Sequence, residues 1–176
     1  MMTQPFAQFS TLDDLGDFAT IIRNRPDILV LVKLFRTLAP EDVETIAHYM
    51  RAYIALEDTV VFKEGAPGDT MLFIIEGMVR VCRGDPVDGA TLGILDPGKT
   101  FGEMALIDNL PRSATCVVLH ESMFAALSRA NFERLAQDHP RLGITILKEV
   151  ARMLSSRLRH ANETREDGMF DFLDLP

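Results

Sequence analysis

Tryptophan is absent from this 176-residue chain, tyrosine occurs twice, and cysteine stands only at Cys82 and Cys116. The two cysteines lie far apart, with no CxxC and no histidine-rich neighbour. A zinc site or a redox pair therefore lacks its ligand pattern, and buried strand thiols are the plain reading. The four histidines, His48, His120, His139 and His160, share no spacing. No Ser-His-Asp set, metal cluster or paired carboxylates stand out, so neither an enzyme nor a metalloprotein is expected. Apolar runs are short, and none approaches the roughly 18 residues that a bilayer span requires. The opening Met-Met-Thr-Gln-Pro-Phe has neither the basic start nor the apolar stretch of a signal peptide. A cytoplasmic location without membrane contact is expected. Basic residues are few as well: 18 against 26 acidic ones leave a net charge of −8, which opposes direct binding to nucleic acid.

What remains is 47% hydrophobic and 25% charged, enough for one domain with a substantial core. Near the N-terminus, Thr11 is a candidate cap for a helix carrying Leu12, Leu15, Phe18, Ala19 and Ile22, which Arg25-Pro26 would end. Ile28 to Val32 reads equally as a strand or a buried helix. Pro40 followed by Glu41 and Asp42 suits a helix start, and Val43, Ile46, Ala47 and Met50 give its apolar stripe. From Ala52 to about Leu127 short β-rich runs alternate with turn signals at Gly65–Asp69, Glu76-Gly77, Arg83–Pro86 and Asp96–Gly98. That rhythm argues for a sandwich or barrel.

Ser128 is placed to cap a short helix ending near Asp138, which His139-Pro140 breaks. A long helix is expected from Pro140 to about Glu163, with two apolar stripes. Leu147, Ala151, Leu154, Leu158 and Ala161 make one, and Ile146, Val150 and Met153 the other. One stripe would cover the barrel. The other predicts a homodimer through this helix, unless both belong to one wide core face.

Residues 101–115 carry the most chemistry: Phe-Gly-Glu-Met-Ala-Leu-Ile-Asp-Asn-Leu-Pro-Arg-Ser-Ala-Thr. A glycine admits close approach to the backbone, the first N–H groups of a helix attract an anion, and an arginine forks onto phosphate oxygens. Glu103 would repel a phosphate unless it has a partner of its own, such as a sugar hydroxyl. The set asks for a small ligand with one phosphate and a neighbouring hydroxyl.

This run resembles the phosphate-binding cassette of the cyclic nucleotide-binding domain family, whose pattern is Phe-Gly-Glu-(Leu/Met)-(Ala/Ser)-Leu, a short loop, then Pro-Arg-(Ala/Ser/Thr)-Ala. Val61–Gly65, Gly68-Asp69 and Leu72–Val81 are similar to the family's early strands, and the likeness spans about residues 34–160. It implies an α+β fold: an antiparallel β-barrel of the double-stranded β-helix or jelly-roll type. A short phosphate-binding helix interrupts it, with flanking N-terminal helices and a long C-terminal helix. It favours helix over strand at Ile28–Val32. The implied organisation is a helical segment at 1–36, a binding domain at 37–163 and an acidic, apolar tail at 164–176.

By the same resemblance Arg112 holds a cyclic phosphate, assisted by Ser113, and Glu103 accepts from the ribose 2′-hydroxyl. The backbones of Gly102 and Ala105 donate to sugar and phosphate oxygens. Phe101, Met104 and Ala114 complete the ligand segment, with Phe101 and Met104 expected in the core. Val81 and Leu92 are candidates for the base pocket, with plain strand packing as the alternative. Arg157 and Leu158 fall where some members carry a Thr-Ser pair that reads adenine, so the chain departs from that pattern. An arginine can still stack on a purine or donate to it, which makes Arg157 the expected base contact. Ser113 stands where a threonine often accompanies cGMP preference, which leans the effector toward cAMP.

Thirteen residues follow Glu163, too few for the family's DNA-recognition helices, so direct DNA binding is not expected. The resulting expectation is a stand-alone regulatory module that signals to an unknown protein partner by movement of its long helix. The alternative is a related module serving as a dimerising scaffold without nucleotide.

Overall fold

The computed structural model describes residues 9, 11–28, 32–36 and 38–167. Its frame is a pair of 14-residue strands, β4 (Thr70–Arg83) and β7 (Thr115–Ser128), paired antiparallel from Thr70↔Ser128 to Cys82↔Thr115. Between them come β5 (Ala90–Leu95) and β6 (Thr100–Phe101). Ahead of them lie β1 (Asp13–Asp17), β2 (Arg51–Ala55) and β3 (Val60–Phe62). Each long strand takes two short partners at opposite ends: β7 pairs with β2 and β3, β4 with β6 and β5. Irregular register between Ile74 and Val79 bends β4 midway. The result is one antiparallel seven-stranded sheet of jelly-roll type. It is open rather than closed, because no described pairing joins β5 to β1.

Alternation along these strands builds two cores. Leu72, Ile74, Val79 and Val81 face inward with Cys116, Val118, Phe124 and Ala126. The intervening Met71, Phe73, Ile75, Ala125 and Leu127 face outward, where bare apolar surface would be costly. Helices cover them: α1 (Phe18–Asn24), α2 (Lys33–Arg36), α3 (Pro40–Ala47), α5 (Arg129–Asp138) and α6 (Pro140–Asp167). The short α4 (Glu103–Ile107) lies in the chain between β6 and β7, interrupting the sheet as expected. Among the described residues no helix is long and apolar enough to cross a membrane.

The N-terminal expectation needs correction. Residues 13–17 form a strand on the edge of β2, held also by an Arg51–Asp14 ion pair at 2.7 Å, and the helix starts only at Phe18. Asp17, not Thr11, caps it by accepting from the Ala19 N–H at 3.0 Å. The apolar spacing was misleading because its members serve different cores. Leu12 joins the inner cluster with Phe9, while Phe18, Ala19 and Ile22 join the outer one. Ile28 and Val32 are buried in the outer core, and residues 29–31 lie outside the described set.

The C-terminal half matches closely. Ser128 accepts from the Asn131 N–H at 3.2 Å, α5 ends at Asp138, and Pro140 opens α6, which continues to Asp167. Removing that fully buried cap in Ser128→Ala should cost about 1 kcal/mol. Urea unfolding followed by circular dichroism reads this directly, and an unshifted midpoint would show that the cap contributes nothing.

Candidate functional site

Arg112 is brought to Gly102 by two constraints. Its backbone bridges to the loop after β3, donating to the Ala66 carbonyl and accepting from the Gly65 N–H, both at 2.8 Å. Its side chain then turns inward and is only 5% exposed. The guanidinium lies over the Phe62 ring, with its central carbon 3.5 Å from the ring centroid. Nη1 donates to the Gly102 carbonyl at 3.2 Å.

Two glycines leave room for this. A methyl on Gly68 would fall 2.1 Å from Nε and 2.4 Å from the central carbon. One on Gly102 would fall 2.6 Å from Nη1, and Gly102 also takes the left-handed φ of 77° that favours glycine.

The charge so held is poorly compensated. Nε and Nη2 are buried without a hydrogen-bond partner, and Arg112 makes no ion pair among the described residues. Burial pushes its pKa down to about 10, with Cys116, Asp69 and Glu103 opposing the shift. It stays cationic at neutral pH, which is the electrostatic setting for an anion.

Glu103 opens α4 and is 2% exposed. Its Oε1 accepts from Nη1 of Arg157, while Oε2 is buried without a partner. Burial raises its pKa, and the Arg157 charge works against that rise. Arg157 also donates through Nη2 to the Thr100 carbonyl at 2.7 Å, so one side chain of α6 spans β6 and α4. A buried carboxylate with an open oxygen thus sits one residue from the glycine that receives Arg112.

The other expected site residues divide into groups. Phe101 is core, edge-on to Phe62 at 5.4 Å and to Phe124 at 5.7 Å. Met104, expected in the core, is instead 45% exposed, because α4 turns that face outward. Ser113 is exposed with its hydroxyl toward the Met104 sulfur at 3.8 Å, and Ala114 packs on the inner core. Ala105 lies in the first helical turn, where N–H groups lack intrahelical partners. Val81 is buried in the inner core and Leu92 packs against it. Arg157 meets the Glu103 carboxylate.

A cavity of about 330 Å³ opens beside Arg157 under α6, bordered by Leu95, Thr100, Met153 and Ser156. Neither Val81 nor Leu92 lines it. The sequence reading missed Phe62 and Gly68. Both lay in segments it had quoted, but nothing in a strand or a turn pattern says which of its residues will touch an arginine 44 or 50 positions away. Among the described residues no group could hold a metal ion.

Residues 55–139 match the family model described as the cyclic nucleotide-binding domain. A cyclic nucleotide-gated potassium channel of Mesorhizobium japonicum is 36% identical over 127 residues, which is 72% of this chain and 33% of the channel. The cyclic AMP receptor protein of Thermus thermophilus is 32% identical, with 73% of this chain and 58% of the receptor covered. The chain therefore spans a third to somewhat over half of these relatives. A crystal structure of a cyclic nucleotide-binding domain from Methylobacillus flagellatus KT superposes with a TM-score of 0.80 at 31% identity. That match covers 96% of this chain and 97% of the other. With the cassette geometry, the jelly-roll frame and this near end-to-end match in hand, the chain belongs to the cyclic nucleotide-binding domain family.

Proposed function

We propose that this chain is a regulatory module that binds a cyclic nucleotide, cAMP in preference to cGMP, and passes the signal to a protein partner through α6. The observation that carries the reading is a complementary pair of unmet needs. Arg112 offers a buried cation with two unpartnered nitrogen atoms, and Glu103 offers a buried carboxylate oxygen without a donor. A phosphate meets the first and an adjacent sugar hydroxyl meets the second. Ser113 adds a hydroxyl beside the phosphate position, and the Gly102 and Ala105 backbones add N–H groups.

The chain's own residues divide the work of binding. Arg112 neutralises the phosphodiester with a buried guanidinium, where a charge-assisted pair is strong. Glu103 orients the sugar. Arg157, Val81 and Leu92 are the residues assigned to the base; the cavity beside Arg157, which neither Val81 nor Leu92 lines, is not part of that assignment. The preference for cAMP rests on Ser113 and on the cyclic AMP receptor protein among the relatives. No catalytic step is assigned, a cytoplasmic setting fits the reading, and direct DNA or membrane contact plays no part in it.

Signal output is assigned to the joint at His139, where the backbone (φ −134°, ψ 72°) leaves the helical region between α5 and α6. Few dihedrals need change there for α6 to swing. Ile146 and Val150 of α6 are buried against the outer core, while Leu147 is 41% and Leu158 64% exposed. The exposed stripe is the proposed homodimer seam. Leu154, by contrast, packs on the outer core and is a poor probe of that seam.

Arg112→Ala should weaken cAMP binding by roughly thirty- to several-thousand-fold, the usual effect of truncating one member of a buried hydrogen-bonded charge pair. Titration calorimetry measures it, with circular dichroism to verify the fold. Glu103→Gln should lose less, because an amide oxygen still accepts from a hydroxyl. Wild-type affinity in a folded Arg112→Ala protein would remove the phosphate assignment and leave the scaffold alternative.

For the seam, Leu147→Glu and Leu158→Glu should each give a monomer by light scattering, since burying an unpaired charge is costly. A wild-type protein that is monomeric at high concentration refutes the dimer.

A further inference from the structure

We infer that Phe62 is a positioning residue for Arg112: its ring holds the guanidinium flat, so that the Nε and Nη2 donors stay aligned for an anion. The inference rests on the proposed role of Arg112 and deepens it. A guanidinium carries five N–H donors, and among the described residues the hydrogen bond to Gly102 is the only one it makes. Glu103 turns its Oε1 to Arg157 instead, and Nε and Nη2 of Arg112 are buried without a hydrogen-bond partner. A long side chain with one hydrogen bond has several rotamers open to it, and each strays from the geometry a phosphate needs.

What restricts it is a slot. Phe62 supplies one wall, with its centroid 3.5 Å from the guanidinium carbon, and its Cε2 would lie 2.9 Å from a methyl on Gly102. Gly68 and Gly102 close the remaining space to the width of a hydrogen atom. A leucine at position 62 would fill most of the same core volume. Only an aromatic face offers both a flat wall and a negative surface for a cation that has left water.

The ring is itself well anchored. It meets Phe101 at 5.4 Å and Phe9 at 5.9 Å, and is only 7% exposed. A fixed ring lowers the ordering cost that ligand binding would otherwise incur. Position 62 thereby tunes affinity without touching the ligand.

The test is a double-mutant cycle in the full-length protein, with cAMP affinity measured by calorimetry for wild type, Phe62→Leu, Arg112→Lys and the double variant. Phe62→Leu should weaken binding roughly three- to thirty-fold, the range of a desolvated cation–π contact. Phe62→Tyr should restore near wild-type affinity. On the Arg112→Lys background the penalty of Phe62→Leu should shrink to less than about two-fold, because a lysine presents no plane to be held. An equal penalty on both backgrounds would mean that Phe62 is only packing, and unchanged affinity in Phe62→Leu would dismiss the role outright.

A second readout needs no nucleotide. The Arg112 Nε–H proton should resonate upfield, shifted by the ring current of Phe62, and should return downfield in Phe62→Leu. Absence of that shift in the wild type overturns the inference even if binding is normal. Should the wild type bind no cyclic nucleotide, the function reading fails by itself, and this proton still decides whether Phe62 holds Arg112. If Phe62→Leu does not fold, Phe62→Tyr and the wild-type resonance carry the decision.

Discussion

A positive charge buried without an ion-pair partner among the described residues is the constraint around which this molecule is arranged. Taking a guanidinium out of water is costly unless hydrogen bonds and charge replace the lost hydration. Among the described residues, the Arg112 side chain donates one hydrogen bond and lies over one aromatic face. The fold bears this because the slot is made of parts that cannot easily move aside. Gly65 and Ala66 are tied to the Arg112 backbone, Gly102 follows directly on β6, and Phe62 ends β3. Each of those strands is in turn paired to β4 or β7. The long two-strand spine, the interruption by α4 and the two close glycines together keep a costly charge in a defined place.

Glu103 has the opposite need and a different solution. Its carboxylate is also buried, yet one oxygen is satisfied by Arg157, which comes from the far end of the chain. The two buried charges therefore sit on neighbouring elements without neutralising each other. Arg112 is braced by the sheet and Glu103 by α6. Direct pairing of Arg112 with Glu103 would have met both needs internally and left little affinity for an outside anion.

Much of this was legible in the sequence, for identifiable reasons. The cassette could be read because its chemistry is local: Gly102, Glu103 and Arg112 lie within eleven positions, and glycine, carboxylate and guanidinium are each hard to replace. Ser128, His139 and Pro140 marked helix ends correctly because caps and breakers act over one or two residues. The N-terminal strand was not legible. Asp13–Asp17 is a strand because β2 offers it an edge, a non-local fact, and its apolar neighbours imitate a helical spacing while serving two different cores. Met104 failed similarly, since the orientation of a five-residue helix is set by its attachments and not by its periodicity. Phe62 was hidden for the same reason as β1. A phenylalanine at the end of a strand reads as core, and only the fold brings it against Arg112.

Under the proposed reading, the Glu103–Arg157 contact also limits how the signal can travel. A ligand shifts a conformational equilibrium only by as much as it prefers one state over the other. Arg157 uses Oε1 of Glu103 and the Thr100 carbonyl, which leaves Oε2 open to a sugar hydroxyl. The hydroxyl and Arg157 thus need not compete for the same atom. A carboxylate that accepts from both is better satisfied than one that accepts from either alone. Nucleotide and α6 would then favour each other through Glu103, and binding would hold the helix against β6 rather than release it. The exposed stripe carrying Leu147 and Leu158 would be fixed in direction by the same event. A partner helix that recognises the stripe in that orientation would read the nucleotide without contacting it.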